Sequence, residues 1–597
     1  MQLSLSHLGY LPTSPKFLTL IAGPCEALPE RIAFYLRQNC LRMERDGPVE
    51  PGFSARFPSP YDLLNGALTR TDAASAFYHG ELVRQDTCWG TLWQADFSAF
   101  TTPGSYQIET DFQISPPFAI SKRVYDRFIS SYLTFLRSQR CGCDVFGVHS
   151  ACHLDDGVLD RDGSPWPVTG GWHDAGDFRK WLAFTQHHLD ALATLIERRA
   201  ESLNRGGIPT QSLLDEIAWG NRFFHGMLAP NGQVFEDVAG GRAPANSPLT
   251  YEEDWWFENH PGCFGDASDN RWTDNISGSG DERMVRTTYN PLVQWAFVYT
   301  QARLARLLPP EEGEHCMELA RRAANFAGQN PHDGRTLFLA AELRGLLELL
   351  AAGEPTSQIK LIRTAEALLS RQAHTTGLSG YFLEAGAKDA YRSIAFSADP
   401  ALALLRFYEL RHQLEDHHIA QSAADAIAAF LDRYLLADAS TNPFGLTPYG
   451  VYLHAPEPER QHFRDAGSGR GVRTFMYPYN PQGIVHGTSS VLLSHAHLLA
   501  RAASHFDKPA WRAAAERLLQ WSVGHNLLNR SLFSGIGYRH PVGYSFRIPQ
   551  IPEAPVTGFI GRPDDSPYLE TSTAIEWNTL EYWSMPFVHA VQAACWL

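Results

Sequence analysis

The spacing of apolar and polar residues changes once along this chain, near residue 120. Before that point, short alternating runs bounded by Gly and Pro predict β-strands at 16–21, 91–97 and 104–109. After it, apolar residues recur at helical spacing, and we count about twelve amphipathic segments, including 125–138, 181–199, 213–227, 487–503, 509–522 and 574–596. The change predicts a strand domain at 1–119 and a helical domain at 120–597.

An even number of helical segments, with no strand signal between them, favours an all-α (α/α)6 barrel of six hairpins for 120–597. The short strands favour a β-sandwich for 1–119. A helical solenoid is the alternative for the second domain, but its segments share no fixed repeat period. Long stretches without periodicity interrupt the helices, and because such loops usually carry function, we expect site residues in them: 228–290, 440–486 and 526–572.

The composition narrows the class of partner. The chain has 597 residues, of which 44% are hydrophobic and 12% aromatic, and a formal net charge of −15. We find no cluster of Lys and Arg of the kind that binds nucleic acid or anionic membranes. We also find no run of about twenty apolar residues that could span a bilayer. A neutral sugar, whose apolar faces stack on aromatic rings, fits better. No signal-peptide pattern is visible, so we expect a cytoplasmic protein if Met1 is the natural start and a secreted one if the sequence is already processed.

Two carboxylates stand three residues apart in the segment Gly170-Gly171-Trp172-His173-Asp174-Ala175-Gly176-Asp177. Glycine allows unusual backbone angles here, so Asp174 and Asp177 could converge on one water molecule and activate it. Helix capping is the alternative, because an Asp before a helix is most often an N-cap and apolar residues at helical spacing follow Asp177.

Cysteine and histidine residues cluster just before Asp174. Nine cysteines spread over the chain do not predict a disulfide framework. Two thiolates and two imidazoles would suit tetrahedral zinc, and four protein ligands leave no open position for water, so such a metal would be structural and would pin the loop. The candidates outnumber the positions, and ordinary buried cysteines are the alternative: Cys141, Cys143, His149, Cys152, His153 and His173.

A third cluster lies near the C-terminus, in the segment 568–578. Glu570 and Glu576 stand where a loop enters the last helical segment, and either could protonate a leaving group, although helix-start electrostatics explain both without catalysis. In the long loop after residue 251, Trp255 and Trp256 could wall off one end of a sugar groove or simply pack the loop.

Together these stretches resemble glycoside hydrolase family 9, the inverting cellulases and their relatives. The segment 170–177 is similar to the family signature, and 139–142 with 152–153 resembles its zinc loop. The segments 9–12 and 96–98 resemble its immunoglobulin-like N-terminal domain, and 524–531 and 574–578 resemble stretches that border its active site. The resemblance covers nearly the whole chain and implies an immunoglobulin-like β-sandwich followed by the barrel.

The resemblance also implies roles for single residues. Asp177 would be the general base that deprotonates water, and Asp174 would hold that water. The zinc ligands would be Cys141, Cys152, His153 and His173.

Two places depart from the family pattern. The family's sugar-binding His-His-Arg run corresponds loosely to His540 with Arg539 or Arg547. The position of the general acid corresponds to Ser572, which cannot supply a proton, so we favour Glu570 over Glu576 for this role; an inactive protein is the third option.

The sequence therefore predicts an inverting hydrolase of β-linked glucans or oligosaccharides, including glucosamine-containing ones, attacking short substrates from one end. Inversion needs two carboxyl groups about 6.5–9.5 Å apart. The acid needs an apolar setting, for which Tyr568, Trp577, Tyr582 and Trp583 lie nearby in sequence. A carbohydrate-binding protein without turnover is the main alternative, and a lyase or phosphorylase ranks last. Structural zinc is the expected cofactor; the sequence assigns neither calcium nor an oligomeric state.

Overall fold

A computed structural model describes the chain except for residues 24–25, 39–75, 241–271, 388, 456–458, 477–485, 544, 546–547, 549 and 573–576. The chain forms two compact units. The first comprises Met1–Arg127 and Gln520–Pro541, and the second comprises Phe128–Leu519 and Val542–Leu597. In the described stretches, no helix combines the length and the hydropathy that crossing a bilayer requires.

The first unit contains one curled antiparallel sheet. Its strands pair in the order β1-β2-β5-β4-β3-β6-β7, where the prediction had two facing sheets of a sandwich. In β3, Ile32, Phe34 and Leu36 are buried on alternate positions, and the ring of Tyr10 meets Phe118 edge-on at 5.6 Å. The strands are β1 Gln2–Ser4, β2 Phe17–Ile21, β3 Arg31–Gln38, β4 Tyr78–Thr87, β5 Gly90–Asp96, β6 Gly104–Thr110 and β7 Phe118–Ile120.

The segment 520–541 groups with these strands, although the sequence placed it in the helical domain. Its backbone carbonyls at Gly524 and Asn526 accept hydrogen bonds from Ser4 Oγ at 3.1 and 2.7 Å. His525 Nε2 lies 3.0 Å from Thr19 Oγ1. These bonds between residues about 500 positions apart leave no trace in local sequence periodicity.

Most of the described helices belong to the second unit. They are α1 Asp126–Ser138, α2 Leu182–Arg205, α3 Thr210–Gly226, α4 Pro291–Ala305, α5 Pro310–Gln329, α6 Thr336–Ala351, α7 Gln358–Leu369, α8 Asp399–Glu409, α9 His417–Ala428, α10 Ala437–Ala439, α11 Ser489–Phe506, α12 Pro509–Ser522, α13 Trp577–Leu580 and α14 Ser584–Trp596. A π-helical turn, Ala429–Leu436, joins α9 to α10.

Six of these helices contact one another in a closed cycle, α2 with α4, then α6, α8, α11, α14 and back to α2. They are buried on nearly every side; in α4 every residue from Pro291 to Ala302 is buried. A helix that is buried all round must be apolar all round or pair its polar groups, and Arg344 on α6 pairs with Asp399 on α8 at 3.2 Å. The amphipathic helices α3, α5, α7 and α9 pack against members of the cycle: α3 against α2, α5 against α4, α7 mainly against α6, and α9 against α8.

Short strands lie between the helices, so the prediction of no strands there was wrong. Runs of two to four residues are too short to show an alternating pattern. They form three sheets, with orders β8-β11-β10-β9, β12-β14-β13 and β15-β16. The strands are β8 Val158–Leu159, β9 Lys180–Trp181, β10 Asp237–Ala239, β11 Met284–Val285, β12 Gly450–Tyr452, β13 Arg464–Gly467, β14 Arg470–Arg473, β15 Ile560–Gly561 and β16 Pro567–Tyr568.

The last predicted helix, 574–596, is interrupted between α13 and α14. Tyr582 and Trp583 pair instead with Val556 and Ala175 in isolated antiparallel bridges. The interruption matters for the site because Ala175 lies between the two aspartates of the segment 170–177.

Candidate active site

The segment 170–177, here called the aspartate turn, is fixed by backbone hydrogen bonds at both ends. His173 N donates to Gln139 O at 2.8 Å, and Ser584 N donates to Asp174 O at 2.9 Å. Gly171 has φ +76°, and a Cβ atom there would lie 2.7 Å from the Phe223 ring. Glycine at this position therefore lets the backbone both turn and approach its neighbour.

The two carboxylates of the turn differ in exposure. Asp174 is 5% exposed and its Oδ1 accepts from Trp181 N at 3.0 Å. Asp177 keeps part of its surface open to solvent, and its Oδ1 accepts from Arg179 N at 3.0 Å. Burial raises the pKa of both carboxyls, and the charge of Asp177 raises that of Asp174 further. The arrangement joins a shielded carboxyl to one that water can reach.

Capping does not explain these aspartates. The helix that follows the turn begins at Leu182, with Trp181 as its N-cap and no side-chain cap bond. Asp177 lies four residues before that cap. The capping alternative therefore fails for both residues.

Arg179 follows the turn, and its guanidinium is engaged by other groups. Its Nε donates to Asp237 Oδ2 at 2.6 Å, and its guanidinium carbon lies 4.3 Å from the centre of the Trp181 ring. Asp237 also pairs with Arg286 at 3.1 Å. The charge of Arg179 partly opposes the effect of burial on the pKa of Asp177.

A buried charge triad lies beneath the turn. Asp156 Oδ2 is 2.8 Å from Lys180 Nζ and 2.5 Å from Arg283 Nη2, and all three side chains have no exposed surface. Lys180 Nζ also donates to Gly170 O at 2.8 Å. The triad thus connects three chain segments directly to the start of the turn.

The cysteine–histidine cluster lies next to this triad and consists of Cys141, Cys152, His153 and His173. One ligand atom from each lies within 4.8 Å of the others, and all four residues are buried. Cys141 Sγ is 4.0 Å from Cys152 Sγ and 3.6 Å from His153 Nδ1, and Cys152 Sγ is 3.8 Å from His173 Nε2. A tetrahedral zinc ion separates its sulfur and nitrogen ligands by about 3.4–3.8 Å, so these residues fit zinc.

The protonation of Cys141 and His173 also suits a metal, whereas the hydrogen bond with Cys141 and burial raise the pKa of the Cys152 thiol. Burial alone would raise the pKa of Cys141, but the hydrogen bond from Cys152 and the charge of Lys180 bring it well below its ordinary value. Burial lowers the pKa of His173 to about 4, which keeps the imidazole neutral. Thiolate and neutral imidazole are the forms that bind zinc. Cys143 and His149, which the sequence could not exclude, do not belong to the cluster.

Comparison with known proteins shows what the region around the aspartate turn is similar to. The profile described as Glycosyl hydrolase family 9 matches residues 125–307, which hold the aspartate turn and the cluster. A cellodextrinase of Butyrivibrio fibrisolvens is 34% identical over 125 residues, 20% of this chain and 22% of that protein. Endoglucanase D of Acetivibrio thermocellus is 23% identical over 288 residues, 45% of this chain and 41% of that protein. The chain is similar to glycoside hydrolase family 9.

The fold agrees with this family over the whole chain. A metagenome-derived family 9 endoglucanase superimposes with a TM-score of 0.67 at 19% identity, covering 100% of this chain and 98% of that one. At such low identity the likeness shows the fold alone. The matched regions span less than half the length of the two curated relatives.

The predicted proton donor, Glu570, has an unexpected environment. Glu570 is partly exposed; its Oε1 accepts from Ser572 N at 2.7 Å and its Oε2 from Tyr568 OH at 2.9 Å. These bonds lower its pKa to about 2. The apolar setting predicted for Glu570 was therefore wrong, because this setting favours the ionised carboxylate. Its role as acid stays a prediction that this conformation opposes, and Glu576 lies outside the described residues.

The predicted sugar contacts are only partly described. Arg539 and His540 belong to the first compact unit, where Arg539 Nη1 donates to Gln2 Oε1 at 2.9 Å and His540 Nδ1 lies 3.2 Å from Pro541 O. Arg547, Trp255 and Trp256 lie outside the described residues. All five stay predictions.

Sequence reasoning missed the ionic residues that support the aspartate turn. Asp156 and Arg283 are 127 positions apart, and Asp237 is 58 positions from Arg179. No spacing rule connects residues so far apart. The only sequence signal was the pair Arg179-Lys180 directly after the two aspartates, since two basic residues entering a buried helix need acidic partners.

Proposed function

We propose that this chain is an inverting glycoside hydrolase that cleaves β-linked glucans or oligosaccharides. The observation that carries the proposal is the Asp174–Asp177 pair, in which a buried carboxyl and a water-accessible carboxyl share one rigid turn within the region that matches family 9. Such a pair suits the removal of a proton from water.

In the proposed mechanism, Asp177 accepts the proton of the attacking water while Asp174 orients that water. The negative charge that each carboxylate imposes on the other raises proton affinity, which makes the base stronger. Burial, and then the charges of Asp177 and Asp174, raise the pKa of the Tyr582 hydroxyl, which therefore stays neutral and donates to Gln139 Oε1 at 2.6 Å. The donated proton comes from a carboxyl across the sugar, for which Glu570 and Glu576 are the predicted candidates.

The proposed scaffold is an (α/α)6 barrel braced by structural zinc. The closed cycle of six buried helices, with further helices packed outside it, supports the barrel. In favour of zinc stands the donor set of the cysteine–histidine cluster. Zinc would supply a rigid tetrahedral crosslink there, since all four positions are taken by side chains. The aspartate turn would then be held on one side by His173.

The proposed substrates are short β-linked oligosaccharides attacked from one end. The match to a cellodextrinase supports short substrates, whereas the endoglucanases among the relatives favour internal cleavage of longer chains. The two modes of attack give different first products. Exo-attack releases one size of product from the outset, and endo-attack releases a mixture.

The test is a panel of β-linked oligosaccharides, with and without glucosamine, in which product anomers are followed by NMR. Inversion of a β-linkage must give the α-anomer first. Asp177→Asn should reduce turnover by about 10²–10⁴-fold, the contribution of general-base catalysis. The matched control is Asp162→Asn, an exposed aspartate, which should keep wild-type turnover.

Unchanged turnover in Asp177→Asn, or a β-anomer as first product, would overturn the proposal. Saturable binding of the oligosaccharides by calorimetry without turnover would assign the protein to the non-catalytic carbohydrate-binding class instead.

A further inference from the structure

Arg179 is bonded to both aspartates of the aspartate turn through its backbone. Its N–H donates to Asp177 Oδ1 at 3.0 Å, and its carbonyl accepts from Asp174 N at 3.2 Å. Two residues later, Trp181 N donates to Asp174 Oδ1 at 3.0 Å. The orientation of both carboxylates therefore depends on where the backbone of residues 179–181 lies.

The side chain of Arg179 fixes this backbone through a second set of contacts. Its Nε donates to Asp237 Oδ2 at 2.6 Å, and its guanidinium carbon lies 4.3 Å from the centre of the Trp181 ring. Asp237 has no exposed surface and stands opposite Trp181 where β9 pairs with β10. A charged hydrogen bond on one side and an aromatic ring on the other hold the guanidinium in one place.

Asp237 is held in turn by a third strand. Arg286, which directly follows β11, places its Nε 3.1 Å from Asp237 Oδ1, and its backbone N donates to Asp237 O at 3.0 Å. The two carboxylate oxygens of Asp237 thus serve two different arginines. Rotation of this buried carboxylate would break an ion pair, which is costly without water to replace it. Asp237 therefore connects Arg179 firmly to β10 and β11.

We propose that Arg179 and Asp237 are positioning residues for the candidate base: Asp237 fixes the guanidinium of Arg179, and Arg179 holds Asp177 in the orientation and charge state that accept a proton from water. The proposal rests on the proposed function, in which Asp177 is that base. An ion pair with a purely structural role would lower stability when removed but would leave the pH dependence of turnover unchanged.

Charge gives Arg179 a second effect on Asp177. Burial raises the pKa of Asp177, and the charge of Arg179 opposes that rise. The other titratable groups that act on Asp177 among the described residues are Arg283, Asp174, Asp237 and Tyr582. Arg283 acts in the same direction as Arg179, and the two carboxylates act in the opposite one. Removing the charge of Arg179 should therefore move the ionisation of Asp177 to higher pH.

The experiment compares Arg179→Gln, which removes the charge, with Arg179→Lys, which keeps it, on the zinc-loaded full chain. Turnover of a β-linked oligosaccharide is measured as a function of pH. Arg179→Gln should lower kcat by about tenfold to hundredfold and change KM by less than about twofold, because a misplaced base affects the reacting geometry more than sugar binding. The acid limb of kcat/KM should move to higher pH by about one unit or more.

The conservative variant and the control separate charge from packing. Arg179→Lys should leave the acid limb at its wild-type position. Arg161→Gln, at an arginine with an exposed side chain, should match the wild type in kcat, KM and acid limb. Wild-type kcat and limb in Arg179→Gln would overturn the proposal, and an equal limb shift in Arg179→Lys would do so too.

Asp237→Glu tests the same contact without removing a charge. It moves the carboxylate by one methylene group, so kcat should fall while the acid limb stays in place. This variant replaces Arg179→Gln if circular dichroism shows that the glutamine variant does not fold. Unchanged kcat in Asp237→Glu would then overturn the proposal.

A wild type without turnover would refute the proposed function but not this inference. The pKa of Asp177 is then measured directly by NMR on protein labelled with carbon-13 aspartate, and the resonance missing from Asp177→Asn identifies the residue. Arg179→Gln should raise this pKa by about one unit or more, and Arg179→Lys should not. The same Asp177 pKa in wild type and Arg179→Gln would overturn the inference.

Discussion

Replacing Asp156 by asparagine should destabilise the helical unit by about 3–5 kcal/mol, the usual cost of removing one partner from a buried ion pair. Asp156 contacts Lys180 Nζ at 2.8 Å and Arg283 Nη2 at 2.5 Å, and none of the three side chains is exposed. The substitution leaves two buried positive charges without a counter-charge. It also turns an amide donor towards groups that can only donate. An exposed pair in the same place would contribute only about 0–1 kcal/mol.

The assay is urea-induced unfolding followed by far-UV circular dichroism at constant zinc. The control Asp162→Asn removes an exposed aspartate and should change the free energy of unfolding by no more than about 0.5 kcal/mol. A loss below about 1 kcal/mol for Asp156→Asn, with an unchanged dependence on urea concentration, would show that the triad does not hold the turn in this way.

The pH dependence gives a second readout of the same triad. Burial alone would raise the pKa of Asp156, but the charges of Arg283 and Lys180 bring it below its ordinary value of 3.8. The stabilisation is therefore fully present above pH 3.8 and is lost as the pH falls through the lower pKa of the folded state. The difference in the free energy of unfolding between wild type and Asp156→Asn should accordingly decrease only in strong acid.

Three further predictions concern packing, metal and histidine. Gly220→Ala should lower the free energy of unfolding by about 1–3 kcal/mol or more, because a Cβ would lie 1.9 Å from the Trp172 ring. The control Gly328→Ala, with open space around the glycine, should not destabilise the protein. Thermal midpoints measured by calorimetry compare the two variants. Cys152→Ala should lose zinc and Cys143→Ala should keep it, as measured by metal content per chain; equal zinc in both would exclude the cluster. Burial lowers the pKa of His495 to about 3, so stability should fall as the pH drops below 6.5, by up to about 1.4 kcal/mol per pH unit from this residue. His495→Gln should flatten that slope in urea titrations at several pH values, and an unchanged slope would contradict the assignment.

The fold was predictable wherever local pattern decides the structure. Helix α12 begins at Pro509 and ends at Ser522, as the apolar spacing indicated. The last helix was predicted without its interruption, because Tyr582 and Trp583 adopt extended pairing only when residues from distant segments are in place. The helical spacing of apolar residues carries no information about such a distant partner.

The candidate site was likewise predictable only where residues close in sequence decide it. Asp174 and Asp177 stand close in sequence, so their chemistry could be inferred before the structure. The choice of Cys141 over Cys143 could not be inferred from the residues alone. It depends on the hydrogen bond from Cys141 N to Gly171 O, which places this cysteine beside His173. The low pKa of Glu570 was equally hidden, because it arises from the direction in which the Ser572 N–H group and the Tyr568 hydroxyl point, which local sequence does not reveal.

The closed cycle of six helices has a consequence for how the polypeptide is made. The contact that completes it joins α14 to α2, and Arg199 on α2 donates to the carbonyl of Ala594, 395 residues later. The ribosome synthesises α2 and α11 before α14. The apolar surfaces of α2 and α11 that α14 later covers therefore lack this partner during elongation. Nascent chains stalled before residue 584 should therefore depend on holding chaperones to a degree that the finished protein does not.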